Sequence, residues 1–223
     1  MAELTIKWET LDKMPQPAKA KAAPVITSET TSAPADAAVP SDEAVFTPDK
    51  PYFIYVTDGS SATGFDAVEK VILDDDRVKL GSHAFHAIKM SPDVAKADPL
   101  LADKGGKEIP RIIYVTADLK TIKPLEGASL KLGEVWGSMK ATANKFYKQD
   151  LDAVVKDLKS VLIEFDKISN ERKVLDEKDK RLGAKATSAD TKELAAKRAE
   201  LDEREKKATD RKTALWELKA KAA

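Results

Sequence analysis

From Lys148 to Ala223 the chain carries no proline and a single glycine, Gly183. Within that stretch Val154, Val161, Ile168, Leu175 and Leu182 recur every seven residues. Leu151, Leu158 and Phe165 fill the companion position before Arg172 and Asp179 replace it. A seven-residue apolar repeat without helix breakers constrains the fold strongly: the segment is helical and lays one stripe against another helix. Val155 and Leu162 widen the stripe in its first half, so it is broadly apolar near Leu151 and narrows to one seam farther out. Gly183 to Ser188 interrupts the pattern, and Leu194, Leu201, Ala208 and Leu215 resume it, with Asp190 and Glu193 read as a capping box. Two helices of roughly 30 residues, each about 45 Å long, are predicted to form an antiparallel hairpin over residues 148–223. Trp216 and Leu218 then return to the region near Leu151. A seam this thin makes a marginal pair. The hairpin is either self-contained or, as the narrow seam favours, pairs with a protein partner or a second copy of the chain.

Composition narrows the chemistry. Charged residues make up 34% of the 223, above the usual quarter, as solvated helices require. The 38 basic and 38 acidic residues balance, so no nucleic-acid partner is expected, and the alternating signs of Glu205–Lys212 read as a solvated helix face. There is no cysteine, which removes disulfides, thiolate metal sites and cysteine nucleophiles together. His83 and His86 are three apart in a predicted strand and point to opposite faces, which disfavours a shared metal. Asp74-Asp75-Asp76 lacks the spacing of a calcium loop and reads as a solvated turn. Gly105-Gly106-Lys107 lacks a P-loop frame and reads as a turn. No metal or cofactor is expected. The opening MAELTIKWETLDKM has no secretory h-region, and no apolar run is long enough to span a bilayer, so a soluble, cytoplasmic protein without a membrane partner is expected.

Residues 1–13 hold an alternating Leu4, Ile6, Trp8 stretch, read as a strand or docking segment on its own domain or a neighbour. Residues 14–49 are rich in Ala, Pro, Ser, Thr and Asp and are predicted to be a flexible linker. Residues 50–147 carry the globular signal. Tyr52–Val56 is a buried strand, Gly64–Leu73 has helical spacing, His83–Met90 alternates as a strand, and a short helix interrupted at Pro99 spans Ser91–Lys104. Arg111–Thr116 and Thr121–Leu125 form two strands, and Ser129 is expected to cap a helix carrying Leu130, Leu132, Val135, Trp136 and Met139.

This order, strand–helix–strand–helix–strand–strand–helix, resembles the thioredoxin-like fold family. Its members place Lys-Pro before an apolar strand, then Cys-x-x-Cys at a helix start, and later a hydrophobic residue and a cis-proline before the third core strand. Here Lys50-Pro51 precedes YFIYV, Ser61-Ala62-Thr63-Gly64 aligns with the Cys-x-x-Cys, and Ile109-Pro110 precedes RIIYV. Ile6-Lys7-Trp8 is similar to the first strand of some bacterial members. The resemblance covers about 100 residues and implies an α/β class: a thioredoxin-like three-layer sandwich with a long C-terminal helical (coiled-coil) hairpin.

The resemblance also shows what is missing. Thiol–disulfide exchange needs a thiolate at a helix N-terminus and a second thiol to resolve the mixed disulfide. Ser61 stands in the first place without a base within a few residues, and Gly64 empties the second. The function expected is a non-catalytic, redox-inactive interaction or scaffold subunit. The alternative is a chaperone-like binder of extended peptides, for which the resemblance implies a groove formed by Ser61, Ala62, Thr63, Gly64, Ile109 and Pro110. An enzyme using Ser61 or Thr63 lacks any accompanying base, metal cluster or cofactor loop.

Overall fold

Five consecutive residues of one strand are sealed from solvent, and the architecture is built around them. In the computed structural model, which describes residues 4–9, 14, 49–59, 63–183 and 187–221, β1 (Tyr52–Val56) is at most 1% exposed along its whole length. An unbroken apolar run like YFIYV suits a strand covered on both faces. It pairs in parallel with β2 (His86–Met90) and antiparallel with β3 (Arg111–Val115), which pairs antiparallel with β4 (Ile122–Glu126). The result is a four-stranded mixed sheet of order β2-β1-β3-β4. Pro124, which has no N–H to give a ladder, lies in the edge strand β4.

The period of two along each strand divides the core into two layers. Phe53, Tyr55, Ile112 and Tyr114 face α1 (Thr63–Ala67, continued by a π-helical turn Val68–Ile72), α2 (Asp76–Ser82) and α4 (Leu132–Phe146). Tyr52, Ile54, Val56, Ile113 and Val115 face α3 (Pro92–Ala97) and Leu101. Two buried phenols tie the layers together: Tyr114 donates to the Val135 carbonyl at 3.0 Å and Tyr147 to that of Ala84 at 2.9 Å. At Gly81 in α2 a side chain would meet Met139 Sδ at 2.6 Å and the Trp136 ring at 2.9 Å, so α2 and α4 touch where only glycine fits.

The first core does not stop at Tyr147. Helix α5 (Leu151–Leu182) contributes Leu151, Val154, Val155 and Leu158 to the same apolar cluster as α2 and α4. Its antiparallel companion α6 (Ser188–Trp216) brings Leu215 and Trp216 back to that cluster. The Trp216 ring packs 4.4 Å from His83, and burial, with nearby Lys7, Lys50 and Lys212, lowers the His83 pKa. The tail closes the junction: Lys148 N–H donates to Lys219 O at 2.9 Å and Lys221 N–H to Phe146 O at 2.7 Å. Farther out, Ile168, Leu175, Leu194 and Leu201 form a separate small cluster. Arginines bridge the helices beside this seam: Arg172 to Asp202 and Glu205, Arg198 to Asp176 and Asp179, Arg204 to Glu164 and Glu171.

Several local readings are corrected. The expected strand over His83–Met90 begins only at His86, because Ala84 and Phe85 donate back to Gly81 and Ser82 and close α2. His83 therefore follows a helix and does not share a strand with His86. Asp74-Asp75-Asp76 is a helix start: the Asp75 carboxylate accepts from Arg77 N–H at 2.9 Å and caps α2, which the sequence reading missed. The helix after Ser91 is only α3, since the Asp98 carboxylate turns the chain by accepting from Leu100 N–H at 2.9 Å. Ser129 does not cap α4; it closes a 3-10 turn with Glu126, and α4 starts after Lys131. The capping box of α6 is Thr187 with Asp190, one turn before the expected Asp190–Glu193 pair. Of the expected linker over 14–49, residues 15–48 lie outside the described residues. Met14 is buried, with its N–H donating to Asp98 at 2.7 Å.

Because Leu158 is 1% exposed in the sheet-side cluster, Leu158→Ala should lower the stability of the sheet as well as of the hairpin. A loss of about 2–5 kcal/mol is expected in chemical unfolding, with tyrosine fluorescence and helical circular dichroism shifting together.

Candidate functional site

The two parallel strands β1 and β2 end on the same side of the sheet, where α/β proteins commonly bind ligands. The register Val56↔Arg111 sets Ile109-Pro110 against that end, beside Thr57 and a few residues before α1. The Ile109-Pro110 bond is cis, Pro110 is buried, and Ile109 is 40% exposed. Neither backbone polar group of Ile109 has a hydrogen-bond partner among the described residues. A free main-chain pair beside an exposed apolar side chain is what an extended peptide needs for strand-like pairing.

The sequence reading missed the residue that holds this loop. Glu126, at the end of β4, accepts from Lys107 N–H at 2.7 Å and Glu108 N–H at 2.9 Å. Gly106 fits beneath it only as glycine: its φ is +80°, and a Cβ would stand 3.1 Å from Pro124. A lone glutamate in a strand carries no sequence signal for this role, because the partners lie 18 and 19 residues away. Arg111, also missed, is 5% exposed and donates to Glu108 O at 2.9 Å, while its Nε has no partner. Burial lowers the Arg111 pKa, and the nearby Glu126 carboxylate works against that shift.

Of the six residues named for a groove, the described ones fall as follows. Ile109 and Pro110 lie at the sheet end. Thr63 and Gly64 open α1, which follows β1 on the same side. Ser61 and Ala62 lie outside the described residues. With no cysteine in the chain, no thiol chemistry is possible there. No helix among the described residues is long and apolar enough to cross a membrane. No family model, curated protein or solved structure matches the chain.

If Glu126 anchors the Ile109 loop, Glu126→Ala should accelerate amide hydrogen exchange at Lys107 and Glu108 by about tenfold or more. Exchange in β1 should change far less, which separates loop release from global unfolding.

Proposed function

We propose that this chain is a non-catalytic interaction or scaffold subunit built on a thioredoxin-like three-layer sandwich, with the helical hairpin as its contact element. The strand order β2-β1-β3-β4, the parallel β1–β2 pair, helices on both faces and the position of Ile109-Pro110 before β3 favour that fold reading. The observation that carries the function is the outer half of the hairpin. Its cluster of Ile168, Leu175, Leu194 and Leu201 is separate from the sheet core, so this length of helix adds no cover to the globular part. Along this outer half Val174 is 65% exposed. An arm that protrudes and keeps a large apolar residue in water is suited to presenting a surface to other molecules.

A photo-crosslinker placed at Val174 in the full chain should give discrete adducts in cell extract, lost when unlabelled full chain is added in excess. Labelling indistinguishable from a crosslinker at the exposed, polar Glu134 of α4 counts against the scaffold reading.

The free backbone of Ile109 favours a second reading, a peptide binder at the sheet end. Ile109→Asp should weaken binding of unfolded, carboxymethylated model polypeptides by about tenfold while leaving the thermal midpoint near that of the parent. Equal binding by parent and variant removes that groove from consideration.

A further inference from the structure

The inner half of the hairpin presents an apolar face that the core does not use. On α5, Lys159, Leu162, Ile163 and Asp166 stand at positions i, i+3, i+4 and i+7 and share one side of the helix. Leu162 is half-buried and packs against the sheet-side cluster, whereas Ile163 beside it is 56% exposed. These residues line a cleft of about 550 Å3, with Phe165 and Leu4 among its other walls.

Charge is laid out along this cleft with a direction. Lys159 and Asp166 lie seven residues apart, about 10 Å along the helix, with the apolar pair between them. Helix α6 runs the other way and lines the same cleft with Lys212 and Glu205, again seven residues apart. The cross-helix pairs Arg211–Asp157 and Arg204–Glu164 fix the register, which sets Lys212 toward the Lys159 end and Glu205 toward the Asp166 end. The cleft is therefore basic at its inner end and acidic at its outer end. Two of these charges are met within the chain: Lys159 lies 3.6 Å from Asp76, and Glu205 accepts from Arg172 at 2.6 Å. The other two are not. Among the described residues Asp166 has no cation partner and Lys212 no carboxylate, its ammonium lying 5.9 Å from the centre of the Phe165 ring.

An antiparallel copy of the same face presents its charges in the reverse order. A two-fold axis between Leu162 and Ile163 sets Lys159 opposite the partner's Asp166, and Asp166 opposite the partner's Lys159. It also sets Ile163 against the partner's Leu162 and brings each Lys212 to the acidic end of the other cleft. An isologous interface requires this kind of self-complementarity. A face with one sign of charge at both ends would repel its copy. We propose that this face is a homodimer interface, in which a second copy of the chain lays its α5 antiparallel across the cleft, centred on Leu162 and Ile163. Helices packed ridges into grooves cross at about 50°, which lets the outer hairpin of each copy swing clear of the other's globular part. A single helix crossing is small for an interface, so the dimer is weak, with a Kd on the order of 10 μM.

Analytical ultracentrifugation of the full chain tests this, and the parent should pass from monomer to dimer with rising concentration. Ile163→Asp should weaken the dimer by about tenfold or more, with helical circular dichroism and the thermal midpoint near those of the parent, because the side chain is exposed in the monomer. Lys159→Asp and Asp166→Lys each set like charges on both sides of the axis, and each should weaken self-association by about tenfold or more. Mixed together, these two variants should form a dimer of near-parent strength, because each supplies the charge that the other lacks. A parent that stays monomeric up to about 200 μM, or a dimer unchanged by Ile163→Asp or by either charge reversal, overturns the interface. A mixture as weak as the separate variants overturns the antiparallel two-fold arrangement. The face lies inward of Val174, so its failure and that of the scaffold reading are seen separately.

Discussion

Burying β1 on both faces is the condition that the other elements satisfy. Tyr52, Ile54 and Val56 on one side, and Phe53 and Tyr55 on the other, present large rings and branched chains that are unfavourable in water. Helix α3 with Leu101 covers one face, and the other needs more area than α1 and α4 supply alone. Helix α2 and the first turns of α5 complete it, which is why the apolar cluster runs unbroken from Phe53 to Leu158. The hairpin is therefore anchored as a part of the core rather than appended to it. Its start is broadly apolar because that end has two surfaces to cover, the sheet-side helices and α6.

Beyond Phe165 the same helix has one neighbour, and its chemistry changes to match. The seam narrows to Ile168 and Leu175 against Leu194 and Leu201. Arg172, which takes the companion position, reaches across to Asp202 and Glu205 at 2.6 Å each. Such exposed pairs add little stability singly, but they set the register of two helices that share few apolar contacts. Charge pairing thus does for the outer hairpin what side-chain packing does at its base. The loss of apolar residues along the repeat is accounted for within the chain, so a thin seam alone does not require a second chain. The case for a partner rests instead on the protruding length and on the exposed Val174.

The two ends of the sheet offer different chemistry. At the strand ends beside Ile109, a glutamate and a glycine hold a loop open with unused main-chain groups. At the β2 edge, Glu9 of the described N-terminal residues bonds Ala87 O and Lys89 N–H, and Trp8 stacks on Phe53. An exposed edge strand invites unwanted pairing, and a self-supplied strand is one way of managing it.

The sequence by itself determined the elements whose evidence is local. The YFIYV and RIIYV runs, the heptad helices and the inward alternation of Leu4, Ile6 and Trp8 were legible because burial imposes a period on neighbouring residues. The position of Ile109-Pro110 before β3 was legible too, because the pair directly precedes the RIIYV run. Short elements were not. Helix α2 is seven residues long and starts at a cap formed by Asp75, which in sequence resembles any acidic turn. The alternation in Ala84–Met90 ran past the true strand start because a helix-closing turn and a strand can both bury every other residue. Only the tertiary structure decided which side chains meet across distance: Glu126 on the Lys107–Glu108 amides, His83 against Trp216, and His86 between Glu9 and Asp49. These contacts join residues 18 to 133 positions apart, and no periodicity in a single chain encodes such a meeting. It follows from how the layers close over β1.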